Sequence, residues 1–154
     1  MTEVWFQQLS EETLLRELPP TVAANIRDLA ATVYDPEQIG ALMVADPVQY
    51  LGVRSLGRVP ADLWMRLKVE LRLLVCTDDP KYQDVRAGLG KESQVAGAVV
   101  LSLISSAVGA HLGVEAGMTT PFVVLLLMAL VRTTKEAWCA QLQAAEQAPL
   151  SDKL

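Results

Sequence analysis

Histidine, cysteine and aromatic residues are scarce in this chain of 154 residues, which has one His, two Cys and 5% aromatic residues. Active sites and metal centres draw heavily on His and Cys, so their scarcity argues against an enzyme and against a metalloprotein. We therefore predict no catalytic residues, no cofactor and no metal site.

Clustered positive charge is also missing. The 13 Lys and Arg are scattered among 18 Asp and Glu, and the formal net charge is -5. Because binding to a phosphate backbone depends on grouped Lys and Arg, this balance argues against a nucleic-acid partner. A disordered chain is excluded by the mean hydropathy of +0.28.

The sequence lacks the signals of β-strands, since it has no sustained alternation of apolar and polar residues and no Asn-Gly turn. Prolines mark helix starts instead, several of them directly after a residue that can cap a helix. We predict that Ser10 caps a second turn within a helix over 3–18 and that Thr21 caps a helix ending near residue 34. Further helices are predicted over 36–44, 47–51, 60–76 and 79–87. The predicted fold is an all-α, compact bundle of six to eight helices, formed by residues 1–148 and followed by a polar tail, 149–154.

One long stretch is almost free of charge, because Glu115 is the only charged residue between Glu92 and Arg132. Residues 95–114 reach the length of about 20 residues that a membrane-spanning helix needs, whereas 121–131 do not. We predict an antiparallel helical hairpin at the centre of the bundle, with the second helix starting at Pro121 and other helices of the protein shielding the pair. Insertion of the hairpin, residues 95–131, into a membrane is the alternative.

Small residues recur every three or four positions along the first helix of this hairpin. A face without bulk lets a neighbouring backbone approach closely, in water or in a membrane. This predicted packing seam consists of Ala98, Ser102, Ser106, Gly109 and Gly113, with Ser105 as a variant of Ser106.

An apolar patch near the N-terminus is the candidate interaction surface. It contains Trp5, Phe6 and Leu9, and aromatic residues often anchor protein interfaces. The same patch would cover the core if it folded back on the bundle, and the sequence does not decide between these alternatives.

The cysteines and the histidine could in principle take part in catalysis or metal binding, but we expect them to have structural roles. Cys76 and Cys139 lie far apart in the chain and are expected to be small buried hydrophobic residues instead of a disulfide framework. His111 and Glu115 share a helix face but form neither a triad nor a metal site without a third polar group. Because Glu3 stands where a signal peptide needs positive charge, a cytoplasmic location is expected, or the inner membrane if the hairpin inserts.

These observations favour a non-catalytic protein–protein interaction module, such as a small regulatory or adaptor subunit of a bacterial multi-protein assembly. Its partner is expected to be a protein, and a homo-oligomer is also considered. The alternative is a membrane-associated effector or pore-forming component that inserts residues 95–131. A third hypothesis is a carrier whose hairpin lines a tunnel for an apolar ligand.

Overall fold

The computed structural model describes residues 9–32, 35–51, 60–90 and 97–147. Its α-helices are α1 (Glu11–Arg16), α2 (Pro20–Ala30), α3 (Pro36–Ala45), α4 (Pro47–Leu51), α5 (Leu63–Cys76), α6 (Gln83–Gly90), α7 (Gly97–Leu112), α8 (Ala116–Arg132) and α9 (Lys135–Gln147). A 3₁₀ turn, Pro80–Tyr82, leads into α6. The predicted all-α bundle is confirmed.

Helix α8 forms the centre of the bundle. Every residue from Pro121 to Met128 is buried, and α1, α3, α5, α7 and α9 all pack against this helix. A helix that is apolar all round must be surrounded by other elements, so the low charge of this stretch accounts for its position. Among the described residues, Val99 on α7 is the only large hydrophobic side chain that is exposed.

The starts of several helices follow from local hydrogen bonds. The Ser10 hydroxyl accepts from Thr13 N at 3.1 Å, as the predicted cap requires. At α3 the side chain of Asp35 accepts from Gln38 N at 2.9 Å, and Gln38 in turn accepts from Asp35 N. This reciprocal pair satisfies two backbone N–H groups that the helix itself cannot pair.

Other predicted boundaries are wrong. Helix α2 begins at Pro20, so Thr21 lies inside its first turn, and Pro19 occupies the cap position without a side-chain hydrogen bond. Helix α5 begins at Leu63, because residues 60–62 form a turn before it. Helix α6 continues through Gly88 to Gly90, and the predicted tail and the aromatic residues Trp5 and Phe6 lie outside the described residues.

Pro121 lies inside α8 and does not start it, which corrects the predicted boundary. A proline within a helix leaves the carbonyl four residues earlier without its N–H partner. Here that carbonyl belongs to Gly117, an exposed residue whose backbone is accessible to water. Two threonines stabilise the first turn of α8, before Pro121. The Thr119 hydroxyl donates to the Glu115 carbonyl at 2.9 Å, and the Thr120 hydroxyl donates to the Ala116 carbonyl at 2.7 Å.

A glycine-dependent turn connects α7 to α8. Gly113 has φ +73°, and Val114 N donates to the Gly109 carbonyl at 2.9 Å, which is the Schellman arrangement of a helix end. A Cβ at Gly109 would lie 2.6 Å from the Val114 carbonyl oxygen. The two glycines of the predicted seam therefore shape the turn of the hairpin.

The hairpin is open, because the chain bends by 116° between α7 and α8. Within the described part of the chain, no helix alone combines the length and the apolar composition needed to cross a bilayer. The two hairpin helices, taken from Ala98 to Leu112 and from Ala116 to Arg132, meet those criteria only as a bent pair.

A disulfide between Cys76 and Cys139 joins the end of α5 to α9, with the two Cα atoms 6.0 Å apart. This overturns the expectation that the cysteines are unpaired hydrophobic residues, since 63 positions separate them in sequence and only the packing of α5 on α9 brings them together. Helix α9 is also held by buried Trp138, whose indole N–H donates to the Leu126 carbonyl at 3.0 Å. The cytoplasmic location stays a prediction, and the disulfide weighs against it because structural disulfides persist mainly in oxidising compartments.

The carboxylate of Glu37 connects α3 to α5. One of its oxygens accepts from Lys68 Nζ at 2.6 Å and from the Trp64 indole N–H at 2.7 Å. Lys68 is buried, and this contact compensates its charge. Gly40 makes room for the indole, because a Cβ there would lie 2.4 Å from the ring of Trp64.

We expect Cys76→Ser and Cys139→Ser, singly or together, to lower the free energy of unfolding by about 2–4 kcal/mol, because the cross-link restricts a long loop of the unfolded chain. Urea unfolding with and without a thiol reductant measures this loss. Reduced wild-type protein should have a urea midpoint close to that of the variants. Equal stability of the oxidised and reduced wild-type protein would contradict the structural role of the disulfide.

Replacing Gly113, which lies in the turn, should lower the stability of the protein, whereas replacing Gly117, which lies in helix α8, should not. We expect Gly113→Ala to lower the free energy of unfolding by about 1 kcal/mol, because L-residues disfavour its positive φ. The matched control is Gly117→Ala, where a Cβ meets nothing within 4 Å and helix propensity should raise stability by about 0.5–1 kcal/mol. Chemical denaturation of both variants tests the difference, and a stabilising effect of Gly113→Ala would count against the turn.

Candidate functional site

A pocket of about 230 Å³ lies between α7, the first half of α8 and the residue that follows α1. We call it the serine pocket, because most of the side chains that form it are small or carry a hydroxyl. They include Glu17, Ala98, Ser102, Ser105, Ser106 and Thr120. The pocket has room for far more than one water molecule, which occupies roughly 30 Å³ in the liquid.

The periodicity of α7 explains why the pocket is there. Val100, Ile104 and Val108 point into the core and are fully buried. Ser102 and Ser106 lie on a different face and are exposed. Because these side chains are short, they leave space between α7 and the elements beside it instead of filling it.

Ser105 stands apart from the other two serines. Its side chain is 1% exposed, and its Oγ has no hydrogen-bond partner among the described residues. A buried hydroxyl without a partner costs about 1–3 kcal/mol, so most buried polar groups in proteins are paired. Ser105 is the only such side chain in the described structure, and it lines the serine pocket.

The remaining polar groups give the pocket both donors and acceptors, because the exposed Ser102 and Ser106 hydroxyls can act as either. Thr120 uses its hydroxyl proton for the Ala116 carbonyl, so that only its oxygen lone pairs are free to bind a ligand. Glu17 contributes a carboxylate, and no ion pair joins it to another described residue. The described lining of the pocket contains no basic side chain, imidazole or thiol. This set of groups can form hydrogen bonds with a polar partner but offers no nucleophile with an adjacent base.

The structure divides the predicted small-residue seam into two parts. Gly109 and Gly113 belong to the turn after α7, as described above. Ala98, Ser102 and Ser106 remain exposed beside the serine pocket. The seam was expected to pack along its whole length, and this half of it lacks a packing partner in the described chain.

The structure does not show the predicted interaction patch near the N-terminus as an exposed surface, because it describes only one of the three residues. Leu9 is buried in the core, so it offers no exposed contact. Trp5 and Phe6 lie outside the described residues. The choice between an exposed patch and a lid is therefore resolved for Leu9 alone, in favour of the core.

His111 packs against an aromatic ring, and no hydrogen bond joins it to Glu115 within the described structure. Its imidazole lies edge-on to Tyr82, with the ring centroids 4.9 Å apart. The Tyr82 hydroxyl donates to Glu70 at 2.7 Å, and Lys81 Nζ lies 2.8 Å from the same carboxylate oxygen. Burial, followed by the hydrogen bond to Glu70, raises the pKa of Tyr82 above its usual value, so the phenol stays a proton donor.

Among the described residues, no group of three His, Cys, Asp or Glu side chains is arranged to hold a metal ion. Two polar residues of the serine pocket, Glu17 and Thr120, were not predicted from the sequence to belong to a site, and neither were the apolar lining residues Leu101 and Ala116. Glu17 directly follows α1 and lies 85 positions before Ser102 in the chain, so no local spacing links them. Thr120 directly precedes Pro121, where the sequence predicts a helix start and no site.

The unpaired hydroxyl of Ser105 leads to a prediction about stability. We expect Ser105→Ala to leave the free energy of unfolding unchanged or to raise it by about 1 kcal/mol, because it removes a buried polar group that has no partner. Thr119→Val is the contrast, since Thr119 is buried and its hydroxyl donates to Glu115 O; it should cost about 1 kcal/mol. Urea unfolding compares the two, and a clear loss of stability in Ser105→Ala would show that its hydroxyl is paired in solution.

No protein-family model matches the chain, and neither a curated protein nor a solved structure is similar to it. The basis for assigning a function is therefore the serine pocket together with the open face of α7, which consists of the exposed residues Ala98, Ser102 and Ser106.

Proposed function

We propose that this chain is a non-catalytic protein-interaction module, a regulatory or adaptor subunit that docks a helical segment of another protein on the open face of α7. The observation that carries the proposal is the exposed row Ala98, Ser102 and Ser106, which runs beside a pocket with an unpaired buried hydroxyl. Small side chains in such a row allow the backbone of a second helix to come close.

The small amount of exposed apolar surface on α7 favours a docked helix whose contact face contains both polar and small apolar residues. The open face consists of alanine and serine, and Val99 beside it is the one large exposed hydrophobic residue of the described chain, at 49%. An interface with a small apolar anchor and a polar surround is typical of partners that also exist apart. The occupant we propose is therefore a partner helix that presents small or polar residues instead of a row of large hydrophobic ones.

Electrostatics also bears on the partner. The chain has a formal net charge of -5, and Glu17 at the pocket lacks an ion pair with other described residues. A partner with basic residues along the docked helix would approach faster and pair with this carboxylate. We accordingly propose a partner helix that carries positive charge.

Insertion of the hairpin into a membrane remains the second candidate, since α7 and α8 meet the criteria for a span as a bent pair. The burial of α8 favours the interaction module, because the most apolar stretch of the chain is already surrounded by protein helices.

A photo-crosslinking residue at position 102, introduced into the full chain in its native host, tests the proposal. We expect one partner protein to be captured, and we expect Ser102→Arg to abolish binding of that purified partner while leaving the melting temperature unchanged, because the site is exposed. The matched control is Ala24, an exposed alanine on α2, both as a cross-linking site and as Ala24→Arg.

Three outcomes would contradict the interaction module. The first is the same capture from positions 24 and 102, and the second is partner binding that Ser102→Arg does not weaken. The third is recovery of the chain only with detergent, which would favour insertion of residues 95–131. Cross-links solely between copies of the chain, with a dimer in light scattering, would replace the proposed partner by a second copy.

A further inference from the structure

Helix α9 is attached to the bundle through few side chains. Of its side chains whose burial the structure describes, Trp138 and Leu142 are buried and most of the others are exposed. The helix packs mainly against α5, and it contacts α8 through the hydrogen bond from Trp138 to the Leu126 carbonyl. A helix of 13 residues is marginally stable by itself in water, so α9 depends on these contacts.

The space between α9, α8 and α3 is incompletely filled. A gap of about 70 Å³ lies there, which we call the α9 gap. It is lined by Pro36, Glu37, Leu126, Ala129, Trp138, Gln141 and Leu142. Side chains that border an empty space lose part of their van der Waals attraction. Both buried side chains of α9 border this gap, so the noncovalent attachment of the helix is weakened where it reaches the core.

The Cys76–Cys139 disulfide is the covalent part of the attachment. It joins α9 to the last residue of α5, and both cysteines are partly exposed. A thiolate must reach a sulfur atom to break a disulfide, so access governs which bonds can be reduced in a folded protein. The chain between α8 and α9 consists of Thr133 and Thr134 alone, so a released α9 stays connected to α8.

We propose that the disulfide is a redox-sensitive switch. A dithiol reduces it in the folded protein, and α9 then opens at the α9 gap while α8 stays folded. One thiolate of the dithiol attacks a sulfur of the bond and forms a mixed disulfide, and the second thiol displaces the remaining cysteine. The dithiol becomes a disulfide, and its two electrons and two protons pass to Cys76 and Cys139, which become thiols.

Opening of α9 has a structural consequence on the bundle itself. It removes Trp138 and Leu142 from the gap and uncovers the apolar side chains of Leu126 and Ala129 on α8. This surface is distinct from the open face of α7, so the switch does not depend on the proposed interaction module.

Reduction without denaturant is the first test. The full chain is treated with dithiothreitol in native buffer and then with iodoacetamide, and its mass is measured. We expect two alkylated cysteines in a protein that keeps its helical circular dichroism. Alkylation that requires a urea concentration at which the chain unfolds would overturn the proposal.

Amide hydrogen exchange distinguishes a switch from a purely structural cross-link. A structural cross-link acts through the unfolded chain, so its reduction lowers the protection of all helices together. Opening of one helix lowers the protection of that helix selectively. NMR of the ¹⁵N-labelled protein compares residues 138–142 of α9 with residues 123–127 of α8.

On reduction, we expect protection of residues 138–142 to fall at least about tenfold more than protection of residues 123–127. Equal losses in the two helices would overturn the proposal. The double variant Cys76→Ser/Cys139→Ser should show the same pattern without dithiothreitol and should not respond to it. A response of this variant to dithiothreitol would assign the change to the reagent and overturn the proposal as well.

Two glutamines on α9 provide a matched test of the gap. Gln141 lines it, whereas Gln143 is exposed and is not among the described residues that line it. In the reduced protein, Gln141→Leu should raise the protection of residues 138–142 about three- to tenfold, because the new side chain adds apolar contact in the gap. Gln143→Leu should leave protection unchanged, and equal effects of the two variants would overturn the proposal that α9 opens at the gap.

Discussion

Complete burial of the middle of α8 is the constraint on which the rest of the bundle depends. The stretch from Pro121 to Met128 has no polar face, so the remaining helices must cover it from all directions. Helix α7 contributes through its Val100, Ile104 and Val108 side, which leaves its small-residue side facing away from the core. The open face and the serine pocket beside it are thus consequences of how the core was built.

Polar and covalent links then determine how the outer helices sit around α8. The Glu37 carboxylate accepts hydrogen bonds from Trp64 Nε1 and Lys68 Nζ. These contacts join α3 to α5 and pair the charge of Lys68 at the edge of the core. The Cys76–Cys139 disulfide ties α5 to α9. These links connect elements that are far apart in sequence, and they give the sides of the bundle a rigidity that hydrophobic contact alone does not specify.

The serine pocket differs from these links because one of its residues, Ser105, has a buried hydroxyl without a partner within the described chain. Elsewhere in the described structure, buried polar side chains such as Thr119 and Lys68 have partners. Buried groups without partners reduce stability, and exceptions in native proteins commonly mark a binding role or a bound molecule. The exception lies beside the exposed row Ala98, Ser102 and Ser106 on α7, which is why the proposed function concerns this place.

The all-α class, the caps at Ser10 and Asp35 and the nearly uncharged hairpin could be predicted from the sequence, because helix periodicity and capping depend on residues a few positions apart. The sequence could not decide that Cys76 meets Cys139, or that Glu17 lies at the same pocket as Ser105. It also placed the start of α8 at Pro121, although the threonines before the proline extend the helix. Those features depend on which helices become neighbours, and the tertiary packing around α8 alone decided that.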